Sequence, residues 1–90
     1  MDIQDLRKEI DCIDDQLVQL FVQRMHIAEQ VAIFKKENGL PIFVPAREQE
    51  KLADVAEKAG PSMAEYAQKL YATIFELSRA HQSKRNQEGL

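Results

Sequence analysis

The sequence predicts an all-α chain of three helices, long, short and medium in that order. Apolar residues recur at alternating steps of three and four from Ile3 to Phe34, the period of a long helix with a packed seam. Asn38-Gly39 and Gly60-Pro61 then divide the chain into three segments. No stretch of alternating apolar and polar residues reads as a strand, and no internal repeat or low-complexity segment interrupts the pattern.

The first helix is expected from about Asp2 to Asn38. Its seam runs Ile3, Leu6, Ile10, Ile13, Leu17, Leu20, Arg24, Ile27, Val31, Phe34, with Arg24 as the one charged member. Asn38-Gly39 supplies a left-handed cap, and Lys35 and Lys36 stand near the negative end of the helix dipole. At 1.5 Å per residue this helix spans roughly 50 Å, too long for the rest of a 90-residue chain to cover. A second chain is implied. After the loop GLPIFV, Pro45 occupies a favoured first helical position and starts a second helix, PAREQEKLADVAEKA, that runs to about Ala59. Gly60-Pro61 stops it. Ser62 and Glu65 have the spacing of a capping box for a third helix, which carries Tyr66, Leu70, Ile74 and Leu77 on one stripe and runs to about Lys84. The tail NQEGL is expected to fray.

Ninety residues make one domain, 1–90, and 44% hydrophobic with 30% charged residues is ordinary for a soluble protein. Twelve basic against fifteen acidic residues leave a net charge of -3, which argues against a general nucleic-acid surface. Any anion site must be local. The lone Cys12 provides neither a disulfide framework nor a metal cluster and suits a reducing compartment. The N-terminal MDIQDLRKEID lacks a basic start followed by an apolar block, and no segment reads as a membrane span, so a cytoplasmic protein is expected.

Arg24 in the seam has a simple explanation: its stem packs while its head reaches solvent or a carboxylate. Its neighbours point further. Lys35 follows eleven residues later and so returns to within about 20° of the same face, with the small Ala28 between them. Two cations thus flank a shallow gap. Arg7 lies seventeen residues before Arg24, about 25 Å along the helix, whereas a side chain reaches only about 6 or 7 Å. An antiparallel copy of the first helix, crossing near Leu17 to Leu20, would bring the partner's arginine into that gap and create two shared sites in a homodimer. Ser78 and Gln82, four apart in ELSRAHQ, add neutral donors from the third helix. Arg47 and Glu48, with unpaired backbone N–H groups, mark the start of the second helix as a place for an anion or a hydroxyl.

The ordered set LRKEIDCID, LFVQRMHIAEQVAIFKKENGLPI, ARE and ELSRAHQ resembles the all-helical chorismate mutases over nearly the whole chain. The likeness rests on several motifs in order: LR-x-x-ID-x-ID, R-x10-K, LPI, the RE pair and S-x3-Q. It extends especially to mutases fused to prephenate dehydratase. It implies an intertwined dimer of three-helix chains that converts chorismate to prephenate, in phenylalanine and tyrosine biosynthesis, without cofactor or metal. By the same resemblance, Arg24 holds one substrate carboxylate and Arg7 of the other subunit holds the second. Lys35 and Gln82 flank the ether oxygen, Glu48 beside Arg47 accepts from the ring hydroxyl, and Ser78 assists at the ring carboxylate.

These residue types suit the chemistry. A pericyclic rearrangement needs neither nucleophile nor proton transfer, so a protein can only select the compact conformer and stabilise charge as the carbon-oxygen bond breaks. One position departs from the family pattern. Val44 stands three before Arg47, where many members have an acidic residue, and is expected to contribute a backbone contact rather than a carboxylate. His26 and His81 have no catalytic place in this scheme. An isochorismate pyruvate-lyase on the same fold, or a non-catalytic helical dimerisation module, are the competing possibilities; the mutase is favoured because the loop, ARE and ELSRAHQ resemble mutases more.

Overall fold

A computed structural model describes residues 1–88 and contains three α-helices, α1 Ile3–Glu37, α2 Pro45–Ala59 and α3 Ala64–Glu88, with no strand among the described residues. α1 begins with a reciprocal capping box: Asp2 accepts from the Asp5 N–H at 3.0 Å, and Asp5 accepts from the Asp2 N–H at 3.3 Å. At its other end the Asn38 side chain donates to the Phe34 carbonyl at 2.8 Å, and Gly39 takes a positive φ of 63°. The expected extent of the long helix is therefore correct to within one residue at each end.

α2 occupies the predicted residues. Val44 stands at its N-cap with no side-chain cap, and its carbonyl accepts from the N–H groups of Arg47 at 3.1 Å and Glu48 at 3.3 Å. The start of α3 departs from expectation. Ser62 and Glu65 do not form a capping box, because residues 61–63 make a turn and the helix begins only at Ala64. The Gly60 carbonyl takes the N–H groups of Met63 and Ala64 instead, at 3.1 and 2.9 Å, so backbone replaces the hydroxyl. α3 also continues beyond Lys84 to Glu88. Its late turns are tied to α1 by Lys36 Nζ, which donates to the Asn86 carbonyl at 2.9 Å. Of the tail expected to fray, Gly89 and Leu90 lie outside the described residues.

α3 is the hub, packing on both α1 and α2, which do not pack on each other. The core is correspondingly thin: Ala28 and Ala32 of α1, Val55 of α2 and Phe75 of α3, joined by the polar Ser78 and Gln82. Ala32 has no exposed surface, so the small side chain is what lets α1 and α3 approach. A hydrogen-bonded pair, His81 Nε2 to Glu29 Oε1 at 2.7 Å, braces the same crossing, and Gln68 Nε2 donates to the Leu52 carbonyl at 3.3 Å between α3 and α2.

Of the apolar stripe on α3, only Ile74 is half-buried in this chain. Tyr66 is 66% exposed, Leu70 55% and Leu77 46%, while Phe75, Ser78 and Gln82 point inward. Apolar periodicity finds a face that wants cover; it does not say which molecule covers it. The N-terminal part of α1 makes the same point more strongly, since every residue from 1 to 23 is exposed, including the seam residues Ile10, Ile13 and Leu17. The chain measures 54 × 27 × 14 Å with a radius of gyration of 16.3 Å, against about 12 Å for a compact domain of this length. Cys12 is exposed, and no helix among the described residues is long and apolar enough to cross a membrane.

The packing at Ala32 can be tested directly. Ala32→Leu inserts three carbons at a contact with no spare surface and should destabilise the fold by about 1–3 kcal/mol in denaturant titrations; an unchanged midpoint would mean that α1 and α3 do not meet there. A second prediction concerns Asp54, whose carboxyl is held below its usual value of 3.8 by hydrogen bonds from Lys58 and then Lys51. Because folding depresses this pKa, the stabilisation is present above the unfolded value and disappears as pH falls through the folded one. Asp54→Asn should therefore be less stable than the native protein near neutral pH, and the difference should close as pH falls through the lowered pKa of the folded state. A stability difference that persists unchanged into acid would assign the loss to something other than the carboxylate.

Candidate active site

A cleft of about 510 Å³ opens between the C-terminal part of α1, the loop before α2, α2 itself and α3. Four of its walls' polar groups come from positions that helical spacing brings inward: Arg24 and Lys35 from α1, Ser78 and Gln82 from α3. Glu48 joins them from the first turns of α2. Ala28, 6% exposed, forms the small floor between Arg24 and Lys35.

Arg24 is half-buried. Its guanidinium carbon lies 5.9 Å from the centroid of Tyr71 and 5.8 Å from that of Phe75, two rings that meet edge to face at 6.0 Å. Aromatic faces thus hold the cation at the cleft wall without neutralising it, which explains how a charge sits in an apolar seam. Lys35 Nζ donates to the Ile42 carbonyl at 2.9 Å. An ammonium has three hydrogens, so this bond fixes the side chain and leaves two for another acceptor.

Gln82 and Ser78, each 7% exposed, form a buried pair in which Gln82 Nε2 lies 3.0 Å from Ser78 Oγ. In that orientation Gln82 Oε1 is buried with no hydrogen-bond partner. Ser78 Oγ takes only one of the two Nε2 hydrogens, so the second Nε2 hydrogen and the Ser78 hydroxyl hydrogen are both left for other acceptors. The pair then offers a donor on the cleft wall.

Glu48 and Arg47 are treated differently from expectation. Arg47 is turned outward at the cleft mouth and pairs with Glu50 at 3.1 Å, both side chains being well exposed. The cation beside Glu48 is instead Arg79, whose Nη1 donates to Glu48 Oε1 at 2.6 Å and also contacts Oε2. Adjacent residues on a helix point 100° apart, so sequence neighbours rarely share one ligand. Val44 is half-buried on the cleft wall, and among the described residues its N–H has no backbone acceptor. Arg7 lies exposed on the N-terminal part of α1, outside this cleft.

The cleft is strongly cationic in an acidic chain. Arg24, Lys35, Arg47, Lys51, Lys58 and Arg79 line it, against the carboxylates Glu48 and Asp54 alone. Folding has concentrated half of the twelve basic residues here, as a local anion site in a chain of net charge -3 requires. Sequence reasoning missed Arg79, Tyr71 and Phe75. The two aromatics had a usable signal, because Tyr71, Phe75, Ser78 and Gln82 follow one another at four, three and four residues on one face. Arg79 had none: Glu48 lies 31 residues away, and only the packing of α2 on α3 joins them.

Residues 6–83 match the family described as chorismate mutase type II. Among curated proteins, the chain is 46% identical over 63 residues to the T-protein of Haemophilus influenzae, a match covering 67% of this chain and 17% of that protein. It is 41% identical over 49 residues to the bifunctional chorismate mutase/prephenate dehydratase of Aquifex aeolicus, covering 54% of this chain and 14% of that one. The chain thus spans less than a fifth of the length of these two relatives, at 17% and 14%. A chorismate mutase of Methanocaldococcus jannaschii is 41% identical over 44 residues, covering 49% of this chain and 44% of the relative. Among solved structures, chorismate mutase (form I) from Thermus thermophilus superposes with a TM-score of 0.78 at 36% identity, covering 84% of this chain and 96% of that one. On profile, sequence and fold together, this chain belongs to the type II chorismate mutase family.

Proposed function

We propose that this protein is an isomerase that rearranges chorismate to prephenate, in the biosynthesis of phenylalanine and tyrosine. The observation that carries the proposal is that Arg24, Lys35, Glu48, Ser78 and Gln82, drawn from all three helices, line one cationic cleft. Chorismate is a dicarboxylate, and the cation excess of the cleft suits it. Family membership supports the reaction, and family relatives named as chorismate mutases support the substrate.

Arg24 binds one carboxylate from its aromatic seat. Lys35 and Gln82 donate to the ether oxygen, where negative charge grows as the carbon-oxygen bond lengthens. Their value lies in being oriented beforehand: Lys35 by the Ile42 carbonyl and Gln82 by Ser78. Ser78 serves the ring carboxylate at the same end, and Glu48 accepts from the ring hydroxyl. Val44 contributes its N–H rather than a side chain. Arg47, turned toward Glu50, attracts the anion at the mouth rather than touching it inside. No step asks for a nucleophile, a proton transfer, a metal or a cofactor.

The second carboxylate is assigned to Arg7 of the other subunit in a homodimer. The uncovered seam of α1 supports that assembly, since Ile3 at 58%, Ile13 at 56% and Leu20 at 59% exposure form an apolar ribbon too long to leave in water. The protein is proposed to be one domain over residues 1–90 and to act in the cytoplasm, where its exposed Cys12 stays reduced.

Adding chorismate to the native protein should yield prephenate, followed by loss of the chorismate absorbance; release of pyruvate from isochorismate with chorismate untouched would replace the mutase by the lyase. In Lys35→Ala, kcat should fall by about a hundred- to a thousandfold, with a smaller effect on substrate binding. Near-native turnover in that variant would remove Lys35 from the ether oxygen. The shared site has its own test in mixtures of the inactive variants Arg7→Ala and Lys35→Ala. Each hybrid dimer carries one site with both lesions and one intact site, so activity should partly return on mixing. Subunit exchange without any recovery would place both residues in the same chain's site, or Arg7 outside it.

A further inference from the structure

Arg79 occupies a place on the cleft wall that neither the motif pattern nor the proposed chemistry uses. Its guanidinium carbon stacks 4.8 Å from the centroid of Phe43, in the loop before α2, and its Nη1 spans both oxygens of Glu48. The side chains are 33% and 22% exposed, so the pair is shielded more than a surface ion pair. Lys35 grips the same loop one residue earlier, at the Ile42 carbonyl. Arg79 thus links α3 to the loop and to α2 around a single carboxylate.

We propose that Arg79 is a positioning residue that fixes the orientation of the Glu48 carboxylate. The inference rests on the proposed function and extends it. Glu48 stands in the first turns of α2, on a flexible side chain, in a cleft that also contains Arg24, Lys35 and Lys51. Left without a partner, a carboxylate there is drawn to the cations that a dianionic substrate needs. It then competes with the substrate and loses its aim at the ring hydroxyl. Each carboxylate oxygen has two lone pairs, so Arg79 can take one side of both oxygens and leave the other side to accept a hydroxyl hydrogen. The planar guanidinium suits this because it stacks on Phe43 while its N–H groups point along its own plane at Glu48. Lysine supplies charge without that geometry. Arg47, the sequence neighbour, cannot substitute because it is engaged by Glu50.

The test is a double-mutant cycle in chorismate turnover, with circular dichroism and thermal midpoints as controls for folding. Arg79→Gln should lower kcat/KM by about ten- to a hundredfold, the scale of one hydrogen bond to a charged group, through both a lower kcat and a higher KM. In a Glu48→Gln background the same change should have little further effect, because the group that Arg79 aims is gone. Arg79→Lys should recover part of the loss. If the two losses multiply, Arg79 acts on the substrate directly or independently of Glu48, and the inference fails; if only the thermal midpoint moves, its role is structural and the inference fails again. A second arm is independent of turnover: a bicyclic dicarboxylate mimic of the transition state, with and without its ring hydroxyl, titrated by calorimetry. The native protein should prefer the hydroxylated mimic and Arg79→Gln should lose that preference. Equal weakening for both mimics overturns the positioning role even where the native protein turns chorismate over, whereas absence of turnover with the preference intact overturns the proposed function and leaves the positioning role standing.

Discussion

A helix of 35 residues in a chain of 90 sets the terms for the rest of the molecule. Nothing in the remaining sequence is long enough to lie along all of it. α3 covers the C-terminal part, at Ala28 and Ala32, and the N-terminal part carries its apolar seam into solvent. The chain therefore divides along one rod: one end packs on α3 and walls the cleft, and the other end is an exposed apolar surface. The division also distributes chemistry, because Arg7 belongs to the second end and Arg24 and Lys35 to the first.

Electrostatics follow the same logic. A chain with more acidic than basic residues makes a cationic cleft by placing its acidic groups elsewhere: Asp2 and Asp5 cap a helix, Glu29 meets His81, and Glu50 turns Arg47 outward. Among the cleft's cations, Arg24 and Lys35 are held by partners that do not cancel them, whereas Arg47, Lys51, Lys58 and Arg79 each meet a carboxylate. Rings hold Arg24, and a neutral carbonyl holds Lys35. Neither partner is a carboxylate, and both side chains lose freedom, which is what stabilising a developing anion requires.

Most of the backbone was legible in the sequence because each helix end is written locally. Asn38-Gly39, Pro45 and Gly60 act within one turn of themselves, and α1 and α2 begin and end where those residues place them. The third helix shows the limit. Ser62 and Glu65 have a capping spacing, yet a turn that follows Gly60 wins because its carbonyl captures the first amides more directly. The site was legible where one helix carries two members, as with Arg24 and Lys35 or Ser78 and Gln82, since helical geometry alone fixes their relation. It was illegible where the relation is tertiary. Arg79 reaches Glu48 only because α2 lies on α3, and the mistaken pairing of Glu48 with Arg47 came from reading adjacency in sequence as adjacency in space. The apolar stripe on α3 was legible as a stripe, but a pattern carries no information about whether its cover comes from the same chain.

The short connection between α1 and α2 has a consequence for how the protein can change over evolutionary time or under design. Connecting segments are ordinarily where insertions and swaps are tolerated, since few contacts depend on them. Here Ile42 offers its carbonyl to Lys35 and Phe43 offers its ring to Arg79, so two cations of the cleft take their coordinates from consecutive loop residues. An added residue before Ile42 would shift both at once, while an added residue after Phe43 would leave them in place and move Val44 and α2 instead. The segment that looks most permissive is thus a ruler, and diversity in this scaffold should be sought at the outer face of α2, where Gln49, Ala53 and Glu57 are exposed and do not line the cleft.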